Sequence, residues 1–376
     1  MRVLRTLALT TVLSLAVGTP AAGARPGTFE QQVHQDLTRD HNFNAGAIHS
    51  AYGLLDLLGP HQRAILDSYQ QVDPNMPYPV DPTITSARIV QRRATEEPGR
   101  ERWVIASPSM GRNIEADVLV GSGGPIIYMF EGVESPQTSG WISRGIAQRT
   151  FPPGPGRPTV IIPNQGRGSM WQDWLHDDPR LGRMKWETFY TKELMPLAQQ
   201  AVWHNGKRGA IGLSMGATGA MMMANNHPGL FDAVAALSGC YSTVDRLGRE
   251  SAYLTVSSAG GRAENMWGPQ GSELWHRNDV LGHPDGLRGT RIHLSAASGE
   301  VTDEEIRSLQ GKPFSDQVGG SLMETGSLLC TRRLADALSR SGIDHSTHYL
   351  PRGIHGWVAF EQQLAPAWEA IEPALR

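Results

Sequence analysis

Ala210-Ile211-Gly212-Leu213-Ser214-Met215-Gly216-Ala217 is the stretch on which the reading of this 376-residue chain turns. It sets a G-x-S-x-G pattern between a short apolar run and a second, helix-compatible run at 217–225. A strand that turns sharply into a helix needs glycine on both sides of the serine, because side chains there would collide with the strained backbone. The turn presents the serine hydroxyl at the carboxyl edge of a sheet and at a helix N-terminus, where partial positive charge favours a developing anion. With 42 glycines in the chain the bare pattern also arises by chance, so the strand before it and the helix after it carry the argument.

On either side of Ser214, short apolar runs alternate with helical ones. Strands are expected at 102–106, 114–120, 125–130, 158–162, 233–237, 291–296 and 345–350, and helices at 187–203, 217–225, 328–341 and 359–370. Runs that are apolar at consecutive positions suit strands buried on both faces. Strand and helix in alternation mean a mostly parallel sheet with helices on both faces, which together with the serine turn is the α/β-hydrolase fold.

A serine hydroxyl at neutral pH is a weak nucleophile until a base takes its proton. In this fold the base is a late histidine that follows the acid in chain order. His355, in Gly353-Ile354-His355-Gly356-Trp357, stands just past the strand at 345–350 and before the last helix; His348 alternates within that strand and reads as structural. The acid is expected in the loop after the strand at 291–296, where Glu300, Asp303, Glu304 and Glu305 all qualify by position.

The ends of the chain read differently. A basic start, an apolar run from Leu7 to Gly18 and small residues ending at Ala24 make a secretory leader at 1–24 that is too short to span a bilayer. Residues 25–97 read as a helical extension followed by a proline-rich linker, and 98–376 as the catalytic domain. Formal net charge is −3, so nothing points to nucleic acid. In an exported protein the two cysteines, Cys240 and Cys330, are expected to pair as a disulfide. No phosphate-binding glycine loop or Cys/His cluster calls for a cofactor or a metal.

Several segments together resemble one family. They are SPSMGR at 107–112, KWETFYTKEL at 185–194, GLSM at 212–215, NMWGP at 265–269 with RND at 277–279, and HGW at 355–357, where the family has His-Ser-Trp. In this order and spread the chain resembles the antigen 85 type mycolyltransferases. The resemblance implies Ser214 as nucleophile and His355 as base. Matched at Thr290-Arg291, it places the family's catalytic glutamate on Asp303, with Glu300 in reserve. It implies an oxyanion hole formed by the amides of Met215 and Val133. The family's Asp-Gly-Leu-Arg, whose charged residues contact the trehalose head group, stands here as Glu131-Gly132-Val133-Glu134. Glu131, Glu134 and Trp357 are accordingly the expected substrate-contacting positions, and replacement of arginine by Glu134 reverses a charge beside the acceptor.

The expected reaction is a two-step transfer. A mycolyl group would pass from trehalose monomycolate or a related glycolipid to Ser214, and from there to a trehalose glycolipid, wall arabinan or protein hydroxyl, with peripheral contact to the outer envelope. A secreted carboxylesterase uses the same groups with water as acceptor. A non-catalytic protein that binds glycolipid or cell wall is the alternative of a different class.

Overall fold

The computed structural model describes residues 75–312 and 314–376, so the expected leader at 1–24 and the helices expected before residue 70 lie outside the described residues. The strands are β1 (Arg88–Ala94), β2 (Arg100–Ser107), β3 (Arg112–Leu119), β4 (Ile126–Phe130), β5 (Thr159–Pro163), β6 (Arg208–Leu213), β7 (Ala233–Leu237), β8 (Arg291–Ala297) and β9 (His345–Leu350). They form one sheet in the order β1-β2-β3-β5-β4-β6-β7-β8-β9. Pairing is antiparallel from β1 through β3 to β5 and parallel from β5 to β9. This is the mostly parallel sheet expected from the sequence, and β6, which leads to Ser214, lies near its centre.

The strand alternation sorts the core into two layers. Tyr128 and Phe130 of β4 and Val234 and Ala236 of β7 face one cluster, which holds Trp171, Trp186, Tyr190 and Met221. Ile127, Met129, Ile211 and Leu213 face the other, with Trp141, Phe360 and Leu364. Both faces are therefore apolar, which is why β4 and β7 are buried at every position.

The helices that position the site are α1 (Gly140–Ser143), α2 (Met215–Asn226), α3 (Arg246–Ser258), α4 (Asp303–Ser308), α5 (Phe314–Arg340) and α6 (Trp357–Ile371). Among the described residues, no helix is long and apolar enough to cross a membrane.

Three features differ from expectation. The sheet starts earlier, because β1 lies within the segment read as linker; its mostly exposed edge position leaves little apolar signal. The helix expected at 187–203 is broken by a π turn over Phe189–Leu194 ahead of Pro196, which has no amide to donate to the preceding turn. Helix α5 begins fourteen residues before the expected Leu328, since Gly319, Gly320 and Gly326 depress helix propensity across its first half.

The KWETFYTKEL and RND segments meet away from the serine. Glu187 is bonded by Arg277 Nη1 at 2.9 Å and by His227 Nε2 at 2.6 Å. Burial opposes its ionisation, yet the hydrogen bonds and charges of His227 and Arg277 hold its carboxyl down at about 2. His227 caps the far end of α2, twelve residues or roughly 18 Å from Met215, so this network braces the nucleophile helix from behind.

Candidate active site

Ser214 occupies the single residue between β6 and α2, with φ 53° and ψ −124°. A Cβ on Gly212 would lie 2.2 Å from the Gly216 carbonyl oxygen, and one on Gly216 would lie 2.2 Å from that of Phe130. Neither position admits a side chain, which is the physical content of the G-x-S-x-G pattern. The strain at Ser214 is held by its amide, which donates to Leu237 O at 2.8 Å, and by the first bonds of α2, from the Ala217 and Thr218 amides to its carbonyl.

His355 reaches this serine across the sheet edge. Its Nε2 is 2.7 Å from Ser214 Oγ, and its Nδ1 is 2.7 Å from Glu324 Oε2. A carboxylate oxygen at Nδ1 suits the tautomer that carries its proton there, which leaves Nε2 to accept from the serine hydroxyl. The backbone of the histidine loop is tied on both sides. His355 N donates to Gly320 O at 2.9 Å, and Ile354 N donates to Glu305 Oε1 at 2.7 Å.

The expected acid is corrected here. Asp303 is the exposed first residue of α4, and Glu300 is exposed and pairs with Arg352 at 3.3 Å. Glu305 is buried but caps α4 through Thr302. Glu324, on α5 and wholly buried, is the carboxylate that meets His355. The loop after β8 is longer than an ungapped match allows: it turns through α4 before α5 brings the chain back to the sheet edge. A clue lay in Cys330, whose bond to Cys240 draws α5 toward the segment after β7. Glu324 stands six residues earlier, about 9 Å along the helix.

The amides expected to face an oxyanion lie beside the serine. Met215 is the first residue of α2, so its N–H has no intrahelical acceptor. Val133 follows Gly132, where an added Cβ would stand 3.6 Å from Ser214 Cβ. The strand end carrying Val133 hangs from the loop after β5: Trp171 Nε1 donates to Glu131 O at 2.9 Å and Gly168 N donates to Val133 O at 3.0 Å.

The expected substrate contacts fare differently. Glu131 is 2 % exposed, and its Oε1 accepts from Ser139 Oγ and, at 2.7 Å, from Gly140 N. Burial outweighs those bonds and lifts its carboxyl above the usual range. Its side chain thus serves the start of α1 and, being buried, does not reach a ligand at the surface. Glu134 is exposed, and the cations acting on its carboxyl are Arg167, Lys312 and Arg144. Trp357 is half-buried, edge-on to Trp141 with ring centres 5.3 Å apart and under the Arg144 guanidinium at 5.1 Å. Cys240 and Cys330 are joined, the pairing expected from the sequence.

A serine, histidine and carboxylate in line, beside two amides at a strained strand-to-helix turn, can form and break an acyl ester. The family model for the putative esterases matches residues 107–371, most of the chain. The mycolyltransferase Ag85A of Mycobacterium tuberculosis, described as a diacylglycerol acyltransferase/mycolyltransferase, is 30% identical over 285 residues, covering 72% of this chain and 79% of the relative. The chain belongs to the antigen 85 type mycolyltransferase family. Ag85B of Mycobacterium avium, described in the same words, is 29% identical and covers 72% of this chain and 81% of its own. Among solved structures, Mycobacterium tuberculosis MPT51 (FbpC1) superposes with a TM-score of 0.61 at 24% identity, over 72% of this chain and 96% of its own. An S-formylglutathione hydrolase from Agrobacterium tumefaciens does so at 0.53 and 16% identity, over 76% and 99%. These two likenesses concern the fold, and they agree with the sheet order described above.

Proposed function

We propose that this protein is an exported acyltransferase that carries a mycolyl, long-chain acyl group on Ser214 and delivers it to a hydroxyl in the cell envelope. The observation that carries the reading is the pair of 2.7 Å contacts joining Ser214, His355 and Glu324. Ser214 Oγ attacks the ester carbonyl of trehalose monomycolate or a related glycolipid while His355 Nε2 takes its proton, and the Met215 and Val133 amides receive the oxyanion. Collapse breaks the ester C–O bond, and His355 returns the proton to the departing sugar hydroxyl. An acceptor hydroxyl, on a trehalose glycolipid, wall arabinan or protein, then gives its proton to His355 and takes the acyl group, restoring Ser214. Glu324 orients the imidazole and offsets its positive charge in both steps. The names of the curated relatives support acyl transfer as the class of reaction.

Burial of Glu131 leaves Glu134, among Arg144, Arg167 and Lys312, as the charged group of the Glu131–Glu134 segment able to meet an acceptor. Hydrolysis to free acid is the second reading, favoured by the match to the putative esterase model. The test supplies radiolabelled trehalose monomycolate and identifies every product, with Ser214→Ala as control and a serine-reactive phosphonate as label. Transfer of label to a glycolipid or wall fraction is the expected result, with transfer abolished in Ser214→Ala and its melting temperature nearly unchanged. Free mycolic acid alone would select the esterase reading. No phosphonate on Ser214 and no turnover would sink both.

A further inference from the structure

Behind Glu324 stands a chain of polar groups that the reaction does not call on directly. Ser238, at the end of β7, donates its hydroxyl to Glu324 Oε1 at 2.6 Å, and Ala297 N donates to the same oxygen at 2.6 Å. Gln363 of α6 donates Nε2 to Ser238 Oγ at 3.1 Å, and Ser295 of β8 donates its hydroxyl to Gln363 Oε1 at 2.7 Å. Ser238, Ser295, Glu324 and Gln363 are all at most 1 % exposed, and four elements each contribute one of them. Polar side chains so deep in an apolar layer are costly unless every partner is in place. Alanine or valine would fill the same space more cheaply.

The backbone at Ser238 points the same way. Its φ is 54°, the left-handed region that glycine occupies without penalty and other residues avoid. Glycine follows directly, at 239, so a glycine at 238 would have made an easier turn. A serine kept there against its backbone preference is accounted for by its hydroxyl.

We propose that Ser238, aimed by Gln363, is a positioning residue for Glu324. By occupying Oε1 it leaves Oε2 as the oxygen that meets His355 Nδ1, and so fixes the rotation of the carboxylate against the imidazole. The inference rests on the reading of Glu324 as the acid of the triad. The titratable groups that face this carboxylate are His355, from the loop after β9, and Tyr241, from the segment after β7, whose hydroxyl burial raises well above its ordinary range.

The experiment compares Ser238→Ala and Ser238→Gly with the parent protein, using an ester substrate and proton NMR of the His355 Nδ1–H. Both variants lower kcat about tenfold with little change in KM, move the acid limb of the kcat/KM profile to lower pH because a misplaced carboxylate offsets less of the imidazolium charge, and shift or broaden the far-downfield imidazole resonance. Ser238→Gly relieves the backbone at φ 54°, which offsets part of the cost of the lost hydroxyl; it melts above Ser238→Ala and therefore remains testable should Ser238→Ala fold poorly. Parent kcat, parent pH profile and an unmoved resonance in Ser238→Gly overturn the proposal. An inactive parent that still shows the downfield resonance, lost in Ser238→Gly, overturns the acyl-transfer reading and leaves the positioning of Glu324 standing. An inactive parent without that resonance overturns both.

Discussion

The nucleophile turn and the acid segment of this protein are built on opposite terms. From Gly212 to Gly216 everything that shapes the turn is local: a strand buried on both faces, two positions without room for a Cβ, and a helix that follows at once. The acid stands 27 residues beyond the end of β8, past one helix and inside the next, and its place depends on where α5 is seated. Ser214 is therefore legible in the G-x-S-x-G pattern together with the run on each side of it, while Glu324 is visible only in the assembled chain. The lesson is that a nucleophile turn is a backbone problem solved by sequence neighbours, whereas an acid need only deliver one oxygen to an imidazole and can come from any element that reaches it.

The sharpest way to break this comparison is to exchange the two acids as candidates. Glu324→Gln lowers kcat/KM by about ten-thousandfold, the scale lost when the orienting carboxylate of such a triad is neutralised. Asp303→Asn and Glu300→Gln leave it within about twofold, since both carboxylates are exposed and neither meets His355. Steady-state kinetics on one ester substrate decides the matter. A collapse of activity in Asp303→Asn with survival in Glu324→Gln would return the acid to the loop.

A smaller effect tests how α5 is held. The Cys240–Cys330 bond closes a 90-residue separation, and Cys240 is also tied to the nucleophile helix through Thr218 Oγ1, which donates to its carbonyl at 3.0 Å. Reducing and alkylating both thiols lowers stability by about 2–4 kcal/mol, read as a fall in melting temperature. Turnover falls only a few-fold, because Ser238 and the Ala297 amide still hold the Glu324 carboxylate. Loss of activity as complete as in Glu324→Gln, in protein that remains folded, would make the disulfide the feature that seats the acid.

The same contrast explains which other parts of the fold were readable. Strand β7 falls where its apolar run placed it, because its neighbours in sequence already describe a strand buried on both faces. His355 follows from its position after the last strand. The first half of α5 is rich in glycine, which weakens helix propensity there, while the helix as a whole is seated on β8 and β9. Glu131 misled for a related reason: as a charged residue in a family contact motif it reads as a surface group. Its burial is set by Ser139 and α1, eight or more residues away.

The loop that did not supply the acid still has work for its carboxylates. Thr302 Oγ1 accepts from Glu305 N at 3.2 Å while Thr302 N donates to Glu305 Oε2 at 2.8 Å, a reciprocal cap on α4. The other oxygen of Glu305 holds Ile354 N, the residue before His355. Thr302→Ala removes the bond from Glu305 N and the one its hydroxyl donates to Glu305 Oε2, and costs about 1 kcal/mol, a drop of roughly 2–4 °C in melting temperature for a domain of this size or slightly smaller. Turnover stays within about twofold, since Glu305 keeps its bond to Ile354. If kcat instead falls out of proportion to stability, α4 helps to place His355, and the acid segment reaches the catalytic groups by two routes, Glu324 directly and Glu305 through the backbone.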